Sequence, residues 1–281
     1  MLLFCLGLFF MLLFGGGLWF HMQQTALLDR LAVHHLEFPG FPDSFGEFRI
    51  FFISDIHRRQ ISNRLIHEIK GADAVIIGGD LTEKNVPFSR VKENIIKLKE
   101  LAPVYFVRGN NDYEVPQHVL DRILLQQNVS ILDNAAVFLE SDSGETIALI
   151  GIEDISEERD RLDLALKADA VRDKSFNILV SHNPEVKDQL QEIKGHEISL
   201  VLSGHTHGGQ IRLFGKGLYP PGKMIQEGDT IFLTSNGYGT SGLPLRLGAK
   251  PETHLLILRT GETVSAASQN IITIEKQNKR E

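Results

Sequence analysis

Five short segments hold the side chains of this chain best suited to gripping metal ions. They are Asp55-Ile56-His57, Gly78-Gly79-Asp80, Gly109-Asn110-Asn111-Asp112, His182, and Gly204-His205-Thr206-His207. Carboxylate, amide and imidazole donors without a thiolate suit borderline and hard divalent ions: Mn, Fe, Zn or Mg. Together they exceed the roughly four to six places around one ion, so two ions sharing a bridging carboxylate account for them more simply. Taken singly, most have an ordinary reading. D-x-H is mostly structural, GGD and GNND are turn signals, and a lone histidine is most often a satisfied core residue. GHTHGG is the most specific. H-x-H sends two imidazoles from one loop, and Gly204, Gly208 and Gly209 let backbone and ions approach closely.

The elements that must position these groups are legible too. Each segment follows an apolar run: Arg49–Ser54, Ala74–Ile77, Val104–Val107, Phe176–Val180 and Ile198–Leu202. Such continuous runs mark strands covered on both faces. Helical spacing recurs between them, at 61–70, 87–100, 116–127 and 185–194. A hairpin is expected from Ala136–Leu139 to Thr146–Ile152, and short strands at Thr230–Thr234 and His254–Arg259. The alternation defines an α/β chain, and in open α/β sheets ligand sites gather at strand carboxyl ends.

D-x-H, GGD, GN-x-D, a histidine after a strand, and GHTH, in this order, resemble the calcineurin-like metallophosphoesterases. The likeness covers roughly Glu47 to Arg259. The GHTHGGQ form, the FPGFPDSF lead-in and the apolar N-terminus resemble its small bacterial membrane-associated or exported branch. The resemblance implies two packed mixed β-sheets flanked by helices, a four-layer αββα sandwich. It implies that Asp55, His57 and His207 hold one ion, that Asn110, His182 and His205 hold the other, and that Asp80 bridges them. Asp112 would orient the residue at position 111. The implied reaction is hydrolysis of a phosphate ester by a metal-activated bridging hydroxide.

One position departs from the family pattern GNH[DE]: Asn111 stands where a histidine is usual. An amide donates hydrogen bonds but is no general acid near neutral pH, help that is typically worth ~10²–10⁴-fold. A leaving group needing little protonation, or another residue, would compensate. Arg58, Arg59 and Arg108 border the metal motifs, and Arg58 and Arg108 are candidate phosphate ligands. A non-catalytic module binding phosphate or lipid headgroups is the alternative that Asn111 suggests. Glu153-Asp154, ending a strand, reads as an acidic turn more readily than as part of the cleft.

Residues 1–20 carry no charge, and ~20 residues of helix span about the 30 Å hydrocarbon core. No basic start and no A-x-A cleavage site mark a signal peptide. The expected division is a transmembrane anchor at 1–24, a Pro/Gly-containing connector at 25–46, a catalytic domain at 47–262 and a charged, fraying tail at 263–281. The expected location is a cell membrane, single-pass. Arg30 alone lies near the span and does not fix the side on which the catalytic domain stands. The substrate is expected to be a phosphoester, and the anchor directs attention to lipid- or wall-linked ones. The balance of 36 acidic against 29 basic residues, a formal charge of -7, argues against a duplex-binding face. The single Cys5 excludes an internal disulfide framework, and no sequence feature points to a protein partner.

Overall fold

The computed structural model describes residues 2–167, 175–192 and 197–274. A long helix, α1 (Leu2–Ala26), leads directly into a strand, β1 (Asp29–Phe38). Then follow β2 (Phe48–Ile53), α2 (Asn63–Glu68), β3 (Ala74–Gly78), α3 (Phe88–Lys99), β4 (Val104–Val107) and α4 (Gln117–Gln126). Next come β5 (Ser130–Ile131), the hairpin β6 (Ala135–Glu140) and β7 (Thr146–Gly151), and α5 (Leu162–Lys167). The chain continues through β8 (Phe176–Val180), α6 (Val186–Glu192), β9 (Leu200–Ser203), β10 (Lys223–Glu227) and β11 (Thr230–Thr234). It closes with β12 (Thr253–Thr260) and β13 (Ser265–Ile274).

These strands form two sheets. One has the order β13-β1-β12-β2-β3-β4-β5, the other β10-β11-β9-β8-β7-β6. β2, β3, β4 and β5 run parallel, as do β7, β8, β9 and β11. Alternation of side chains along each strand explains why the apolar runs are unbroken. From β2, Ile50 and Phe52 face the second sheet, where they meet Leu149, Ile178, Val180 and Leu202. Phe51 and Ile53 face the other way, onto Leu65 of α2, Val91 and Ile95 of α3, and Leu120 of α4. The second sheet likewise turns Ile150, Leu179 and Val201 onto Leu162 of α5 and Val186 of α6. The result is the expected four-layer αββα sandwich, with strand carboxyl ends of both sheets converging at one rim.

Two expected boundaries fail. The connector expected over 25–46 contains β1, which pairs in parallel with β12 from Leu31↔Thr253 to Phe38↔Thr260. The tail expected to fray from residue 263 supplies β13, antiparallel to β1 and the edge of the first sheet. Both strands owe their place to partners distant in sequence, and two histidines inside β1 mask its apolar alternation. The tail residues 275–281, and the end of the helix expected over 185–194, lie outside the described residues.

Candidate metal centre

The loops at the rim are tightly wound. Asp55, His57, Asp80, His205 and His207 all have left-handed φ, from 49° to 69°. Non-glycine residues take this region rarely, and such strain clusters at functional sites. The loops also brace one another. Asp55 N donates to Gly79 O at 3.0 Å and His57 N to Asp80 O at 3.1 Å. His205 N donates to Asp55 Oδ1 at 3.0 Å, linking the two sheets. Gly109 leaves no room for a side chain, because a Cβ there would strike the Asp80 carboxylate.

Two groups of donors result. Asp55, His57, Asp80 and His207 each offer a ligand atom within 4.8 Å of the others. In this group His57 Nε2 and His207 Nε2 face each other at 3.1 Å, with rings stacked. His207 Nε2 lies 3.4 Å from Asp55 Oδ1. The second group brings Asp154, His182 and His205 within 4.8 Å of one another. Asn110 Oδ1 joins it, 3.0 Å from His205 Nδ1. Asp80 stands between the groups: its Oδ2 is 3.5 Å from His57 Nε2 and 3.3 Å from His182 Nε2. All seven ligands expected from the motifs therefore meet in one place.

The arrangement fits divalent cations. His182 Nδ1 sits 2.8 Å from Gly78 O, which orients the ring and aims Nε2 into the site. That Nε2 is buried without a hydrogen-bond partner, and so is Asp154 Oδ2. Glu83 Oε2 lies 2.9 Å from His57 Nδ1 and holds that ring in the same sense. Asp55, Asp80 and Asp154 are buried carboxylates, and buried negative charge calls for compensating positive charge. Burial alone would push His182 down and Asp80 up. Their mutual attraction outweighs it, holding His182 well above its ordinary value and Asp80 below. His205 and His207 are lowered, chiefly by burial, into the neutral form that can bind a cation, whereas His182 would have to release its proton to do so.

Other expected residues have different places. Asn111 lines the cleft above the two groups, a cavity of about 310 Å³ bounded also by Asp80, Asn110, His205 and Tyr219. Its N donates to Asp80 Oδ1 at 2.8 Å, and its Nδ2 to Glu114 Oε1 at 3.1 Å. Asp112 does not orient the Asn111 side chain. Its carboxylate accepts from Thr82 N at 3.0 Å and Gly109 N at 2.9 Å, clamping the β3 loop to the β4 loop. Burial first, then the Asp80 charge, pushes it up to about 7. Arg108 is buried, its guanidinium spread over Asp121, Asp133 and Gln117, so it is not free to receive phosphate. Arg59 lies over the Tyr238 ring and pairs with Asp29. Arg58 remains largely exposed, paired with Glu83. Glu83 carried no motif and was invisible in the sequence; Asp154 signalled itself by ending a strand.

Comparison with known proteins agrees with this geometry. The family model for the calcineurin-like phosphoesterase domain matches residues 48–209. "Uncharacterized protein YpbG" of Bacillus subtilis is 49% identical over 213 residues, covering 74% of this chain and 80% of that protein. "Phosphodiesterase YaeI" of Escherichia coli is 28% identical over 81% of this chain and 87% of its own. A "Transmembrane protein with metallophosphoesterase domain" of Danio rerio is 28% identical over 78% of this chain and 54% of its own. The chain belongs to the calcineurin-like phosphoesterase family. It is a metal-dependent hydrolase of phosphoric ester bonds.

Proposed function

We propose that this chain is a membrane-anchored phosphoesterase working through two adjacent divalent ions. Asp55, His57 and His207 hold the first, Asn110, His182 and His205 the second, and Asp80 both. The observation that carries this reading is the Asp80 Oδ2 position, within 3.5 Å of imidazole nitrogens from both donor groups. When bound, such a pair neutralises phosphoryl oxygens and lowers the pKa of water toward ~7.

The chain's own residues do the rest. Asp55 and Asp80 balance part of the cationic charge, so a dianionic or monoanionic ester is attracted without being trapped. The Asn111 amide, at the rim of the cleft, donates a hydrogen bond to a phosphoryl or leaving oxygen but cannot deliver a proton. The preferred ester therefore has a leaving group that departs with little protonation. α1 supports the anchor: Phe4–Ala26 forms an apolar helix whose most apolar stretch is not buried in the protein.

The test is turnover of p-nitrophenyl phosphate and bis(p-nitrophenyl) phosphate by the full-length chain in detergent. We expect hydrolysis dependent on added Mn and about two ions per chain by elemental analysis. Bound metal without turnover of either ester would refute the catalytic reading, and one ion per chain the dinuclear one.

A further inference from the structure

The exposed apolar surface extends beyond α1. After the GHTH segment the chain forms a short hairpin, in which Leu213 N and Lys216 O, and Lys216 N and Leu213 O, pair at 2.9 Å. Leu213, Phe214 and Leu218 on this hairpin are 58%, 103% and 92% exposed. Leu243, on the neighbouring loop, is exposed as well. The two loops are one unit. Arg212 N donates to Leu247 O at 2.7 Å, Leu247 N to Gln210 O at 3.0 Å, and Gln210 Nε2 to Leu243 O at 3.1 Å. Single exposed apolar side chains are ordinary, but neighbouring ones on joined loops mark an interaction surface.

What covers this surface follows from its neighbour. The end of α1 docks on the second loop: Arg246 N donates to Met22 O at 3.1 Å. Arg59 holds the next residues through Ala26 O, Leu27 O and Leu28 O, at 3.3, 3.0 and 2.8 Å. Met22, Thr25 and Ala26 are buried there, whereas 4–20 are exposed along their whole length. Trp19 stands one helical turn before Met22, about 4.5 Å along the axis, and tryptophan favours the headgroup level. The joined loops therefore meet α1 at the depth where it enters a bilayer. Exposed Lys216 at the hairpin turn, set off by Gly215 and Gly217 from Phe214 and Leu218, gives the segment the mixed basic and apolar composition of an interfacial one.

The hairpin also borders the cleft. Leu218 and Tyr219 line its mouth with Asp80, Asn110 and His205, and the Tyr219 ring lies 6.2 Å from that of His205. A continuous path thus runs from the apolar hairpin through Tyr219 to the ligand histidines.

Building on the phosphoesterase reading, we infer that the 213–218 hairpin seats in the leaflet that α1 enters, and that the substrate is a phosphoester of a membrane-embedded amphiphile. The amphiphile's tail stays in the bilayer beside Leu213 and Phe214. Its phosphate reaches the cleft past Leu218 and Tyr219. No large movement out of the membrane is needed, because the anchor, the hairpin and the mouth share one side.

The test uses the full-length chain in phospholipid vesicles and two esters with the same leaving group. One is a diacylglycerol p-nitrophenyl phosphodiester in the vesicle, the other soluble bis(p-nitrophenyl) phosphate. The double variant Leu213→Ser, Phe214→Ser is expected to lose about tenfold or more in kcat/KM on the vesicle ester while holding the soluble ester within about twofold. In a second arm, Trp19→Phe with Phe214→Trp places the only tryptophan on the hairpin. Its fluorescence is expected to be quenched by brominated lipids. Equal loss on both esters, or no quenching, would overturn the inference. So would crosslinking of position 214 to a second copy without quenching. Failure of the unaltered chain on the soluble ester would instead defeat the phosphoesterase reading, with the quenching arm still reporting on the hairpin.

Discussion

The Asp80 carboxylate and the His182 ring come from different sheets, yet Asp80 Oδ2 and His182 Nε2 stand 3.3 Å apart. Asp80 follows β3 and His182 follows β8, so the contact ties the two halves of the sandwich at the rim where their strands end. The same oxygen lies 3.5 Å from His57 Nε2. One carboxylate therefore serves both donor groups.

Replacing that carboxylate with its amide tests the sharing. Asp80→Asn keeps the size and removes the charge. Occupancy at both positions should fall together, and turnover should drop by more than the roughly 10–100-fold typical of losing an outer-shell partner. Elemental analysis after dialysis, paired with initial rates, checks this. Loss of a single ion with the other retained would contradict a bridging role.

Glu83 offers a separable effect. Its carboxylate is buried and reaches His57 Nδ1 at 2.9 Å. Burial would raise its pKa, but His57 and Arg58 outweigh that and hold it below the usual carboxylate range. Glu83→Gln should weaken metal binding about 10–100-fold at the His57 position and spare the His182 position. Arg58→Ala should change affinity far less, because the arginine is exposed and screened. Stepwise Mn titration by calorimetry would separate the two sites.

The reaching power of the sequence had a clear physical boundary. The convergence of side chains at strand ends was legible because an apolar run followed by Asp, Asn or His is a local signal, and five such signals shared one order. Partners set by three-dimensional neighbours were not. Arg108 borders the GNND loop in sequence, yet its guanidinium turns to Asp121 on α4 and Asp133 after β5. Asp112 sits beside Asn111 in the chain, but its oxygens hold Thr82 and Gly109. β1 was missed because its pairing with β12 and β13 spans more than two hundred positions, and no local turn announces it.

In the proposed mechanism, Asn111 sets the leaving-group dependence. With only an amide at the cleft rim, rates should fall steeply as the leaving alcohol becomes more basic. Asn111→His supplies a group able to protonate that alcohol. It should raise turnover of alkyl esters, by up to the ~10²–10⁴-fold attributed to general-acid help, and leave p-nitrophenyl esters little changed. Glu114, which now accepts from Asn111 Nδ2 at 3.1 Å, is placed to orient the new ring. A series of esters graded by alcohol pKa, assayed with both proteins, reads this directly. Parallel slopes for the two would show that position 111 does not meet the leaving group.

Acid should destabilise the fold through a buried histidine pair that belongs to neither donor group. His34 on β1 and His254 on β12 meet at 3.1 Å between Nε2 and Nδ1. Ser268 Oγ and Ser235 Oγ cap the outer nitrogens at 2.8 and 2.9 Å. Burial, then the charge of His254, lowers His34 to about 4; burial, then Arg30, lowers His254 to about 3. Both rings are thus neutral when folded, while in the unfolded chain they take up protons near the ordinary 6.5. The unfolded state binds more protons between those values, so stability is fully present above about pH 6.5 and falls as the pH drops through 4. At about pH 5 the loss amounts to about 2 kcal/mol for each ring. β1 joins β12 to the edge strand β13, so the loss should appear first as loosening of that edge. Hydrogen exchange at about pH 7.5 and about pH 5 would locate it. His34→Gln keeps a hydrogen-bonding side chain that does not titrate, and should flatten the pH dependence of the melting temperature relative to the unaltered chain. The cleft histidines and carboxylates are the same in both proteins, so only the difference between the two curves reports on the pair, and superimposable curves would mean that the pair does not couple folding to pH.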